Sequence, residues 1–145
     1  MHNCLAVDVA KGKSMVTLVS SSGEVLIDPY EVNHSINDFS NLLNRITSFK
    51  LDNISVIMES TNIYHRPIER FFLENNFKVF VINPIYGRMH KRNLRKTKTD
   101  KEDCFNLVNL FISNTFKEYI KPDQLYLDLN ALSRQYFALD ELCVN

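Results

Sequence analysis

The sequence predicts an α/β domain, a mixed five-stranded sheet flanked by helices, with a helical tail after it. Three observations predict it. Five short runs rich in β-branched and aromatic residues lie between Leu5 and Ile82. Segments of helical period separate the last three of those runs. Near the end of the chain, apolar residues recur at heptad spacing. A length of 145 residues fits one such domain.

The first strand is Leu5 to Val9, an apolar run interrupted by Asp8. The connection Lys11-Gly12-Lys13 is short enough for a hairpin into a second strand, Ser14 to Ser20. Ser20 to Glu24 turns the chain into a third strand at Val25-Leu26-Ile27. A helix follows, with Ser35 as N-cap and Asp38 three residues on, an Asp version of the capping box. Its buried face is Ile36, Phe39, Leu42, Leu43 and Ile46. Ile54 to Met58 is nearly all apolar and reads as a strand buried on both faces, closed by Glu59. Thr61 or Asn62 caps a second helix, with Pro67 near its first turn and Ile68, Phe71 and Phe72 facing inward. Phe77 to Ile82 is the fifth strand, ended by Asn83-Pro84. After a basic loop, a third helix runs from about Thr99 to Phe116, with Thr99 as cap and Leu107, Leu110 and Phe111 inward.

The order β-β-β-α-β-α-β-loop-α requires the fourth strand to return through a helix. It should therefore lie parallel to an earlier strand by a right-handed crossover. This is the order of a ribonuclease-H-like domain, with the first strand central and the fourth beside it. In the tail, Pro122 breaks the chain, and Leu125, Leu129, Leu132, Tyr136 and Leu139 then form an a/d seam that Cys143 continues. An amphipathic helix packed on the domain is the other reading of that seam. Residues 1–118 are the expected domain, and 119–145 a linker and the start of a coiled-coil helix.

Bulk composition narrows the class. No apolar run approaches the ~18 residues of a membrane span, and the N-terminus lacks the features of a signal peptide. Three widely spaced cysteines, Cys4, Cys104 and Cys143, indicate neither a zinc ribbon nor a disulfide framework. Free, packed thiols fit a reducing cytoplasm. Net charge is zero, with 17 basic and 17 acidic residues, but seven of the basic ones fall in 14 positions, 88 to 101. Distribution matters more than the sum here. A basic run draws a polyanion, and Arg88, Lys91, Arg92, Arg95, Lys96 and Lys98 are the expected phosphate contacts, giving affinity without sequence choice.

The acids that interrupt apolar segments carry the chemistry. Asp8 breaks the first strand and Glu59 closes the fourth, positions where a carboxylate is costly unless paired or metal-bound. If those strands are neighbours, the two acids meet near the carboxyl edge of the sheet, where open α/β sheets place their sites. Asp100 and Asp103 open the third helix, and a spacing of three puts them on one face. Four converging carboxylates call for a cation, and oxygen ligands select Mg²⁺ or Mn²⁺. Taken singly, each acid also has a bland reading: a helix-dipole residue for Asp100 and Asp103, a turn residue for Asp8, an ion pair with Arg66 or Lys91 for Glu59. His65 either reaches a phosphate or is a helix-surface residue with a local structural role. Thr97 and Thr99 either contact phosphate or cap the helix.

Four stretches carry a resemblance: Asp8-Val9-Ala10-Lys11, Glu59 through His65, Val81-Ile82-Asn83-Pro84, and Leu94 through Asp103. Together, in this order, they resemble the N-terminal domain of the IS-one-ten family of insertion-sequence transposases, over roughly Leu5 to Phe116. The resemblance implies a RuvC-like, ribonuclease-H-type fold. It implies that Asp8, Glu59, Asp100 and Asp103 are the four metal-binding acids of a DEDD signature. It further implies DNA recombination through a circular intermediate, guided by an RNA from the same element, and a likeness to Holliday-junction resolvases. Asn62 stands where the family commonly has Gly, and Asn tolerates a left-handed backbone. The tail is poorer in Arg than the family pattern. A long coiled coil and a C-terminal domain with a nucleophilic Ser are expected to follow, and the chain reads as a fragment that binds metal without completing recombination. The rival readings are a resolvase-like nuclease, a sugar-kinase or actin-like ATPase, and a non-catalytic nucleic-acid-binding or assembly module made oligomeric by the tail. Only three glycines, with no Gly-rich loop, argue against the ATPase.

Overall fold

The computed structural model describes residues 3–84, 100–114 and 124–143. Among the described residues, five strands and four helices follow one another as β1 (Asn3–Ala10), β2 (Lys13–Val19), β3 (Val25–Asn33), α1 (Ile36–Ser48), β4 (Ile54–Glu59), α2 (Arg66–Glu74), β5 (Lys78–Ile82), α3 (Asp100–Ser113) and α4 (Gln124–Cys143). The sheet order is β3-β2-β1-β4-β5. β1 runs antiparallel to β2 and parallel to β4, and β4 is parallel to β5. The first strand is thus central with the fourth beside it, the ribonuclease-H-like arrangement expected from the element order.

The β1–β2 hairpin turns at Lys11-Gly12, with Gly12 at φ +77, a conformation that costs glycine little. β3 is longer than the three residues expected. It continues through Asp28 and Pro29 to Asn33. A proline is tolerated because, among the described residues, β3 is an edge strand paired only with β2.

Alternation along β1 divides the core into two layers. Leu5, Val7 and Val9 join Phe39, Leu42 and Ile46 of α1 and Ile68 and Phe72 of α2. Cys4 and Ala6 point to the opposite face, with Ile57, Ile82 and Leu107, Val108 and Leu110 of α3. Helices α1 and α2 cover one face, and α3 covers the other.

Several helix expectations need correction. The Ser35 hydroxyl does accept from the Asp38 N–H at 3.1 Å, but Ile36 is 68% exposed rather than part of the buried face, which is Phe39, Leu42 and Ile46. Neither Thr61 nor Asn62 caps α2. They form a turn, with Asn62 left-handed at φ 48, and His65 takes the N-cap position with no side-chain cap bond. Thr97 and Thr99 lie outside the described residues. Along α4 every described side chain from Leu125 to Glu141 is exposed, including all five seam residues named above. The alternative of a tail helix packed on the domain is not what the structure has.

Candidate metal and nucleic-acid site

Strand register brings the first two acids together. β1 and β4 pair in parallel from Asn3↔Ile54 to Val7↔Met58, so the next step along both strands sets Asp8 against Glu59. Their side chains share a face. Asp8 is two residues beyond Ala6, and Glu59 two beyond Ile57, both of which pack under α3. Both acids are half-buried.

The third acid comes from the helix over that face. Asp103 is 8% exposed, four residues before the buried Leu107 and beside the fully buried Cys104. The Cys104 thiol donates to the Met15 carbonyl oxygen at 3.2 Å. Met15 is the residue paired with Asp8 across β1–β2. The first turn of α3 therefore lies over the row of the sheet that holds Asp8. Asp100 opens α3, and its side chain lies outside the described residues.

A fourth carboxylate on this face, Glu31, has a different use. Glu31 pairs with Met15 on the far side from Asp8. Its Oε2 accepts from Lys13 Nζ at 2.6 Å in a half-exposed ion pair. The ammonium of Lys13 supplies Glu31 with a counter-charge, so the face does not present it as a bare ligand.

The donor chemistry of Asp8, Glu59 and Asp103 fits a hard divalent cation, since all three offer carboxylate oxygens. Among the described residues, no three His, Cys, Asp or Glu side chains are gathered closely enough to hold a metal by themselves. Asp8 and Glu59 share a face of the sheet, the first turn of α3 lies over the same face, and the described side chains alone do not close a site. Arg88, Lys91, Arg92, Arg95, Lys96 and Lys98 lie outside the described residues.

His65 is not on the helix surface. It is 7% exposed, its Nδ1 is buried without a hydrogen-bond partner among the described residues, and its Nε2 stands 3.8 Å from the Glu69 carboxylate. Burial lowers its pKa below the ordinary imidazole range; the Glu69 carboxylate and the backbone of Thr61 and Asn62 pull less strongly the other way. A second histidine, His34, lies 2.8 Å from the buried Ser14 hydroxyl, and burial lowers its pKa as well. The unfolded chain therefore binds more protons than the folded one below pH ~6.5. Stability contributed by the two neutral rings is complete above that pH and is lost as pH falls through the folded-state values. The urea midpoint should decline between pH 7 and pH 5, and His65→Gln should flatten the decline. An unchanged slope in that variant would assign the decline to other groups.

Sequence reasoning does not single out Cys104, Ser14 or His34. Their partners lie 89 residues away for Cys104 and 20 for the Ser14–His34 pair, and no local spacing reports such contacts. A signal exists for Glu31: it alternates correctly in a strand whose continuation through Pro29 is not expected.

The IS110 (IS-one-ten) DEDD family model, described as Transposase, matches residues 5–145. No curated protein matches the chain. Among solved structures, RuvC of T. thermophilus in complex with Holliday junction substrate aligns with 82% of this chain and 100% of its own, at 10% identity and a TM-score of 0.49. A Ppx/GppA family member from Aquifex aeolicus aligns with 59% of this chain and 36% of its own, at 13% identity and a TM-score of 0.37. No described helix is long and apolar enough to cross a membrane. The family match begins at β1, ends past α4, and takes in all four acids of the expected signature. By that match the chain belongs to the IS110 family of DEDD transposases.

Proposed function

We propose that this chain carries the metal-dependent strand-cleaving site of a DNA transposase, with Asp8, Glu59, Asp100 and Asp103 as its catalytic, metal-binding acids. The observation that carries the reading is that Asp8 and Glu59 extend one face of paired central strands under the helix that begins with Asp100 to Asp103, in a chain of a DEDD transposase family. Mg²⁺ or Mn²⁺ bound there would activate the attacking oxygen and stabilise the leaving one in phosphoryl transfer. Asp8 and Glu59 hold their carboxylates on neighbouring central strands, which fixes their separation. Asp103 brings a third carboxylate down from the first turn of α3, where the helix dipole favours negative charge. Arg88, Lys91, Arg92, Arg95, Lys96 and Lys98 neutralise DNA phosphates, and replacing any one of them by Ala makes binding less dependent on salt. Residues 1–118 form the unit that does this, and 119–145 lead into a coiled coil. Sequence choice comes from a guide RNA of the same element, and complete strand exchange of an insertion sequence is the activity served.

The test is Mn²⁺ calorimetry on this chain, with nicking of supercoiled and four-way-junction DNA in Mg²⁺. Saturable Mn²⁺ binding and cleavage that EDTA stops are the expected results. Junction cutting without nicking of supercoiled DNA would favour a resolvase. DNA binding with no metal heat and no cleavage would favour an assembly module.

The exposed seam of α4 supports a homo-oligomer. Leu125, Leu129, Leu132, Tyr136 and Leu139 follow heptad spacing on a helix of 20 residues, about 30 Å long. A second copy offers a matching seam. Sedimentation equilibrium should find a dimer that Leu132→Asp converts to monomer, and a monomeric parent chain would remove the idea.

A further inference from the structure

We infer that Cys104 is a positioning residue for Asp103: its thiol, bonded to the Met15 carbonyl, sets the height of the first turn of α3 over the row of the sheet that holds Asp8. The inference rests on the metal-site reading above and adds to it a residue outside the acidic set. Cys104 is fully buried and its sulfur lies 3.2 Å from the Met15 oxygen. A buried cysteine ordinarily acts as a small apolar side chain, and Leu107, Val108 and Leu110 of the same helix already fill that role. Cys104 differs from them in its partner. Met15 is paired with Asp8 on one side and Glu31 on the other, so the bond anchors α3 at the row where the carboxylates lie.

The adjacency of Cys104 to Asp103 makes this anchor sensitive. Consecutive Cα atoms are ~3.8 Å apart, so a shift of the Cys104 backbone carries Asp103 with it. A helix displaced by one residue's rise moves ~1.5 Å. Metal–oxygen distances tolerate only about ±0.2 Å. Apolar packing farther along α3 can hold the helix on the sheet and still permit a slide of that size, because apolar contacts have no direction. A directed S–H···O contact opposes the slide, though it is weak in itself.

The experiment compares Mn²⁺ affinity and thermal unfolding in the full chain and three variants. Cys104→Ala removes the donor, Cys104→Ser keeps one, and Leu110→Ala, buried in the same helix away from the acids, reports loss of stability alone. Cys104→Ala should weaken Mn²⁺ binding about tenfold, Cys104→Ser should restore it to within about threefold, and Leu110→Ala should lower the unfolding temperature with little change in affinity. The inference is overturned if Cys104→Ala binds like the parent chain, if Cys104→Ser fails to rescue, or if affinity in Cys104→Ala and Leu110→Ala falls in step with stability. If the parent chain binds no Mn²⁺, the metal-site reading fails and takes this inference with it, a result distinct from a parent that binds and an alanine variant that binds equally.

Discussion

Asp8→Asn should weaken Mn²⁺ binding at least about a hundredfold and abolish metal-dependent DNA cleavage, with the fold intact. Asn has nearly the shape of Asp, so β1 keeps its pairing with β2 and β4 and the core residues on either side of position 8, Val7 and Val9, stay buried. What changes is charge. A hard divalent cation is held by anionic oxygen, and one amide oxygen in place of a carboxylate removes a full negative charge at the centre of the set. A hundredfold loss corresponds to about 2.7 kcal/mol, a moderate figure for a charged ligand on the central strand. Calorimetry reads the affinity, and a thermal melt checks the fold. An Asp8→Asn chain that binds Mn²⁺ like the parent would place the cation elsewhere and dissolve the four-acid site.

That prediction is available because the pairing of β1 with β4 is legible in the sequence. A strand that returns through a helix must lie parallel to an earlier one, and an apolar run such as Ile54 to Met58 needs a neighbour on each side. Once β4 lies beside β1 the period of two does the rest. Asp8 goes with Ala6, Glu59 with Ile57, and both face α3. Asp103 is legible as a helix-start residue. Its burial is not, since it depends on how α3 lies across the sheet, which the distant Cys104–Met15 contact reports. The end of β3 is hidden for a different reason. Asp28 and Pro29 break the apolar run, and only an edge position, a property of the whole sheet, makes them acceptable in a strand. His65 reads as a surface residue because polar residues near a helix start usually are. Here the turn at Thr61-Asn62 delays the helix by several residues and leaves His65 buried at its N-cap. The basic segment that motivates the nucleic-acid reading lies outside the described residues.

The opposite face of the sheet offers a way to separate stability from the site. Phe72 is fully buried beneath α2 and meets Phe71 and Phe77 edge-on at centroid distances of 5.6 and 5.3 Å. Phe71 continues the chain of rings to Phe39 of α1 at 5.3 Å. Edge-to-face geometry aims the positive rim of one ring at the negative face of the next, so removing Phe72 breaks both ring pairs, exposes its neighbours and leaves a cavity between α2 and the sheet. Phe72→Ala should cost about 3–5 kcal/mol. That is a large share of the ~5–15 kcal/mol by which domains are stable, and it should lower the unfolding temperature by about 10–16 °C. Phe72 belongs to the layer of Val7 and Val9, while Asp8 faces the layer of α3. The folded fraction of the variant should therefore bind Mn²⁺ with the parent's affinity at a temperature well below its melt. A fall in affinity to match the lost stability would mean that the sheet transmits packing changes from one face to the other. The two layers would then be one mechanical unit, and the separation of scaffold from site drawn along β1 would not hold.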